Sequence, residues 1–185
     1  MVSKIGVELI ENFLVVWDTK AGSKLYADGF YGKPLGVAKP KVPEFDVPLI
    51  LDLMEGLYLA EKKVIAVYEG SAKSKVGLRK LRQAAKRLYE KFDEKYVIFH
   101  DLRDNGLVVT PGIKFGCDFA VYRHGPGVEH APFMVSVKDS DGDLSATEIV
   151  KAGRLATTVR KRFIIAVPDA VRGKSRYLIF RWFKA

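Results

Sequence analysis

The stretch Pro111-Gly-Ile-Lys-Phe-Gly-Cys-Asp-Phe-Ala-Val-Tyr122 decides how the C-terminal half of the chain is read. Asp118–Arg123 within this region has the composition and alternation of a strand. Further strands are expected around Leu107–Val109 and Phe133–Lys138, the latter reached through a short glycine–proline turn. A short helix over residues 94–104 precedes the group. The acidic loop Asp139-Ser-Asp-Gly-Asp143 follows it. Ser145-Ala-Thr-Glu148 is then a capping box, with Leu144 placed to start a hydrophobic staple. The helix it opens is expected to run to about Arg160. A strand at Phe163–Val167 comes next, and Tyr177–Phe183, YLIFRWF, is a β-prone segment with bulky groups on both faces.

Working back from there, a domain boundary falls near Lys91–Asp93. Residues 4–27 alternate apolar and polar in short runs. They read as antiparallel strands joined by turns at Glu11-Asn12 and Ala21-Gly22. Residues 30–48 carry four prolines, two glycines and three lysines without periodicity, which predicts a loop. Its length makes it a functional candidate. From Pro48 the apolar spacing turns helical, with Asp46 as N-cap. Residues 63–68 predict a strand. Residues 74–92 predict a second helix, with Leu78, Leu81, Ala85, Leu88 and Phe92 on one face and basic residues over the rest.

The 185 residues, 48% hydrophobic, suffice for a sizeable core in one ordinary domain or two small ones. No run approaches the roughly 18 apolar residues of a membrane span. The first residues lack the apolar core of a signal peptide. A soluble, cytoplasmic protein is expected. The single cysteine, Cys117, excludes an intrachain disulfide and argues against a cysteine-based zinc site. It is expected in the core. Scarce amides (Asn12, Asn105 and Gln83 only) and 29% charged residues point to a thermophilic source. The net charge of +9 is concentrated: residues 71–91 and 151–185 hold 18 of the 31 Lys+Arg. Such clustering suits a polyanion, because each neutralised phosphate releases counterions. A solvated basic surface would look the same by charge alone.

RNA can be cut without a metal because it carries its own nucleophile. A base takes the 2′-OH proton, an acid protonates the leaving 5′-oxygen, and a cation steadies the charge on phosphorus oxygens between them. The second half of the chain offers histidines near a tyrosine, followed by a basic segment.

These residues carry a resemblance. Pro111–Tyr122 resembles the signature strand pair of archaeal tRNA-splicing endonucleases. His130 matches the family's histidine after the turn. Arg154-Leu-Ala-Thr-Thr-Val-Arg-Lys161-Arg matches its lysine-bearing segment. Tyr96–Gly106 is similar to the start of the catalytic domain, and Leu53–Ala60 to a helix of the N-terminal domain. The resemblance implies an α+β N-terminal domain (1–91) plus an α/β C-terminal nuclease domain (92–185) with a central mixed β-sheet, restriction-endonuclease-like. It implies a catalytic subunit, metal-independent and without cofactor, that cuts precursor tRNA at intron–exon junctions in bulge-helix-bulge form. The products would be a 2′,3′-cyclic phosphate and a 5′-hydroxyl.

By the same resemblance Tyr122 is the general base, His130 the general acid and Lys161 the electrostatic stabiliser. A phenol is ordinarily a poor base at neutral pH, so a nearby cation is needed to favour the phenolate. Imidazole suits proton donation without such help. His124 lies nearer Tyr122 and is the rival acid, but the family pattern selects His130. His100 is expected to be structural. Arg154 and Arg176 resemble the pair that sandwiches a flipped-out base, which reads a bulge by shape. Asp139, Asp141 and Asp143 could bind a divalent ion. The resemblance instead implies an acidic loop docking on a neighbouring subunit. Tyr177, Leu178, Ile179 and Phe180 would pair across a two-fold interface. The loop at 30–47 resembles an insertion of the crenarchaeal branch, with Lys33, Lys39 and Lys41 as RNA contacts. There the assembly is a tetramer, more readily two catalytic and two structural subunits than four copies.

Two other classes compete. A restriction-type, metal-dependent DNA nuclease needs an acid and a Glu-x-Lys-type triad on adjacent strands. Glu148 and Lys151 are separated by two residues on a predicted helix instead. A non-catalytic structural or RNA-binding subunit is the remaining alternative.

Overall fold

The computed structural model describes residues 4–38, 40, 42–139, 142–158, 161–169 and 175–180. The chain divides into two compact units, Met1–Phe92 and Asp93–Ala185. No helix among the described residues is long and apolar enough to cross a membrane.

In the first unit, β1 (Ile5–Ile10) and β2 (Phe13–Val16) form the expected hairpin. The expected third strand is instead helix α1, Thr19–Gly29. Asp18 overrides the alternation, since its carboxylate accepts from Lys20 N at 3.0 Å and Ala21 N at 3.1 Å. Gly22, Leu25 and Tyr26 then fall on one buried face at helical spacing. Short strand β3 (Lys33–Pro34) pairs with β4 (Leu49–Leu51), so the long loop between them is tied at both ends. Leu49 and Ile50, expected to open a helix, are strand residues. The helix α2 spans Leu53–Glu61 and is capped by Asp52, not Asp46. Asp52 accepts from Glu55 N at 2.8 Å and Glu55 accepts from Asp52 N at 3.2 Å. Glu55 also accepts from Gly32 N at 3.0 Å, so this buried carboxylate ties two chain segments together.

Strand β5 (Ile65–Glu69) runs parallel to β1, and β6 (Ser74–Lys75) closes a hairpin onto it. Helix α3, Leu78–Leu88, therefore starts later than expected, at Gly77. It buries only Leu81 and Ala85; Leu78 and Leu88 remain 47% exposed, so its apolar face is narrower than the spacing suggests. The sheet order is β3-β4-β2-β1-β5-β6, mixed in direction.

The second unit begins with α4 (Phe92–Asp104) and continues with β7 (Val108–Pro111), β8 (Phe119–Tyr122) and β9 (Phe133–Val137). Helix α5 (Ala146–Thr158) crosses over to β10 (Arg162–Val167), and β11 (Arg176–Phe180) closes the order β11-β10-β9-β8-β7. Only β9 and β10 are parallel, which is why they need the α5 crossover. The capping box of α5 forms as expected: Ser145 N donates to Glu148 at 3.1 Å and Glu148 N to Ser145 Oγ at 3.2 Å. One face of the sheet carries the cluster Ala120, Ala131, Met134, Ala152, Phe163 and Ile165.

Met134 is fully buried at the centre of that cluster. Met134→Ala should destabilise this unit by about 2–5 kcal/mol, read as a lowered denaturant midpoint. The Glu148 carboxyl is held down at about 2, chiefly by the Lys138 ammonium and then by Ser145. Its folded value thus lies below the ordinary one of about 4.3. The stabilisation it contributes is complete above that ordinary value and is lost as pH falls toward 2. A Glu148→Gln variant should show a shallower loss of melting temperature across that window than the parent; an unchanged slope would exclude the linkage.

Candidate active site

Three strand ends meet at one end of the five-stranded sheet. Strand β8 runs antiparallel to β9 and finishes there with Tyr122. Strands β9 and β10 are parallel and both start there. Ala120, Met134 and Phe163 are consecutive Cα partners across the three strands. Two residues further along each strand, on the same face, the next row is Tyr122, Pro132 and Lys161. Arg162 N donates to Pro132 O at 2.9 Å, which continues the β9–β10 ladder up to that row. Two strand spacings separate Tyr122 from Lys161, roughly 10 Å between Cα atoms. His130 lies two residues before Pro132 and is exposed at the same end.

Each side chain is held differently. Tyr122 is half-buried and packs against the Ala120–Met134–Phe163 cluster. Lys161 is half-buried, its ammonium 4.6 Å from the Phe115 ring centre and donating to Ala131 O at 2.9 Å. Burial holds this ammonium below the ordinary lysine range, with Cys117 acting in the opposite sense. The Ala131 carbonyl and the face of Phe115 stand in for part of the lost water. Phe115 reaches that position on a 3-10 turn, Ile113–Phe115, between β7 and β8.

The connection from Tyr122 to His130 is a built turn. Gly125 (φ 114°) and Gly127 (φ 91°) take left-handed conformations, and Glu129 N donates to Gly125 O at 3.2 Å. The Glu129 carboxylate accepts from His124 N at 2.6 Å and from Arg123 N. Those backbone bonds, His124 first, hold Glu129 below the usual carboxylate range. The turn thus places His130 by pinning the residue before it. Neither Glu129 nor Phe115 stands out in the sequence. A carboxylate just beyond a glycine-rich turn is the available signal for the first.

The remaining described sequence candidates are on other elements. Arg154 is exposed on α5, and Arg176 is exposed at the start of β11. Asp139 is half-buried and Asp143 exposed; Asp141 lies outside the described residues. Among the described residues no group of three or more His, Cys, Asp or Glu side chains is arranged to hold a metal ion. Tyr177 donates its hydroxyl to the Asp101 carboxylate within this unit, while Leu178 and Ile179 on the edge strand are 48% and 51% exposed. Phe180 pairs with Phe163 through the backbone. Lys33 is exposed on β3 in the first unit, and Lys39 and Lys41 lie outside the described residues. His100 Nδ1 lies 3.4 Å from the Asp104 carboxylate on α4.

The chain matches two family models. Residues 92–177 match "tRNA intron endonuclease, catalytic C-terminal domain", and residues 6–82 match "tRNA intron endonuclease, N-terminal domain". It is 46% identical to a tRNA-splicing endonuclease of Hyperthermus butylicus, covering 92% of this chain and 93% of that one. It is 36% identical to one of Sulfurisphaera tokodaii (96% and 98%) and 40% identical to one of Saccharolobus islandicus (86% and 88%).

Cys117 sits beside Lys161, its thiol 3.4 Å from Phe119 O and 3.7 Å from Met134 Sδ. Burial pushes the thiol up to about 11, so it is protonated at neutral pH. Labelling by a thiol-disulfide reagent at pH 8 should be slow in the folded chain and fast in denaturant. Equal rates would show that this corner of the site is open.

Proposed function

Because the chain belongs to the tRNA intron endonuclease family, we propose that it cleaves precursor tRNA at intron–exon junctions, with the Tyr122–Pro132–Lys161 row and the neighbouring His130 as its active site. The observation that carries this reading is the convergence of those positions, up to 39 residues apart in sequence, at one end of the sheet. Tyr122 takes the proton of the 2′-OH nearest the cut. The 2′-oxygen attacks phosphorus, the bond to the 5′-oxygen breaks, and His130 protonates that leaving oxygen. The products are a 2′,3′-cyclic phosphate and a 5′-hydroxyl. The Lys161 ammonium balances charge on the non-bridging oxygens. No step is assigned to a metal ion.

The substrate is a bulge-helix-bulge, with Arg154 and Arg176 sandwiching a splayed base and Lys33, Lys39 and Lys41 touching the backbone. The second unit is restriction-endonuclease-like in kind. The chain works in a tetramer, two catalytic with two structural subunits. Asp139, Asp141 and Asp143 dock on a neighbour, and Tyr177–Phe180 lies at a two-fold interface. The exposed Leu178 and Ile179, on a strand at the edge of the sheet among the described residues, support that role.

His130→Ala should lower single-turnover cleavage by about 10²–10⁴-fold while precursor binding is kept. Cleavage in excess chelator should persist, and end-group analysis should find the cyclic phosphate. Retained cleavage in His130→Ala would remove the assignment, and loss in chelator would return a metal-dependent mechanism.

A further inference from the structure

Tyr122 and Lys161 are each followed by an arginine. Successive strand residues project to opposite faces. Met134 faces the α5 side with Ala120 and Phe163, so its neighbour Phe133 faces the other side. Both arginines converge on that ring. The Arg123 guanidinium carbon lies 5.2 Å and the Arg162 carbon 5.9 Å from its centre. Phe133 is the Cα partner of Arg162 on β10 and of Val121 on β8, so the arginines reach it from the two flanking strands. The two cations are therefore no farther apart than the sum of those distances. Both residues are exposed, and among the described residues no carboxylate forms an ion pair with either guanidinium. Glu129 meets Arg123 through the backbone amide.

Two like charges held over one ring, neither paired with an acid, are poised for an anion. A guanidinium that lies over a ring keeps N–H donors for a phosphate, which it can grip through paired hydrogen bonds. A solvated basic surface would not need a shared aromatic platform. The pair occupies the same end of the sheet as Tyr122, His130 and Lys161, but on the reverse face. A strand lying across that end meets both faces in succession.

We propose that Arg123 and Arg162 hold a backbone phosphate of the RNA strand next to the cut, across the sheet end from the reacting phosphate. They are positioning residues and do not touch the reacting atoms. The inference rests on the RNA-cleaving function proposed above.

The test uses the full chain in the assembly that cleaves, with precursor tRNA, over a series of KCl concentrations. Arg123→Ala/Arg162→Ala is compared with the parent, with Arg123→Lys/Arg162→Lys, and with Lys4→Ala/Lys20→Ala, which removes the same charge elsewhere. The alanine pair should raise KM roughly tenfold and leave kcat within about twofold. It should also flatten the dependence of log K on log salt by about 0.7–0.9 for each phosphate no longer gripped. The lysine pair should keep the salt slope but recover KM only in part. The control pair should match the parent. Single Arg123→Gln and Arg162→Gln variants carry the same test if the alanine pair melts early. A KM and salt slope equal to the parent's, or equally changed in the control, would overturn the phosphate grip while leaving the cleavage reading intact. A parent that neither binds nor cuts precursor tRNA would overturn both, and His130→Ala identifies which residue set failed.

Discussion

The second unit depends on the pairing of its central strand. Strand β9 is antiparallel to β8 on one side and parallel to β10 on the other. That combination brings one strand's finish and two strands' starts to a single sheet end. It requires a helix to carry the chain back between β9 and β10, and α5 does so. Register matters as much as direction. A slip of one residue in β10 would turn Lys161 to the reverse face and bring an arginine in its place. Phe163 and Ile165 make such a slip costly, because it would turn their buried side chains away from Met134 and Ala120.

Within that frame, the local chemistry is set by small supports around each group. Lys161 loses water, yet a carbonyl and an aromatic face take its place. The turn before His130 is held by one carboxylate that accepts from two successive backbone amides. These supports come from the backbone and from Phe115, Ala131 and Glu129. None of them belongs to the proposed trio Tyr122, His130 and Lys161 itself.

Much of this is legible in the sequence, and the exceptions have physical causes. The box Ser145–Glu148 specifies its helix locally, since both partners lie within one turn, and it forms as expected. Strands Phe119–Tyr122, Phe133–Val137 and Arg162–Val167 also fall where alternation puts them. The stretch from Thr19 misleads because its apolar residues fit both periods, and the cap at Asp18 decides for the helix. Leu49–Leu51 misleads for the opposite reason: three apolar residues precede a helix without belonging to it, and only pairing with Val16, Val15 and Leu14 makes them a strand. Phe115 matters through a contact across the fold, with Lys161. Its neighbours in sequence say nothing of Lys161, so pattern reasoning has no access to it, whereas Glu129 acts within its own turn.

Pro132 has a consequence of its own. It stands between Tyr122 and Lys161 and has no amide hydrogen; its carbonyl faces β10, so the missing donor is on that side of β9 and not toward β8. Strand β9 is joined to β10 there through the Pro132 carbonyl, which accepts from Arg162 N. The turn over residues 123–131 is closed at its base by Glu129, which accepts from Arg123 N and His124 N. Residues could be added to or removed from its tip without propagating a shift into the core. That makes it the natural place for related chains to differ in length, and for an engineer to graft a new recognition loop beside an unaltered site.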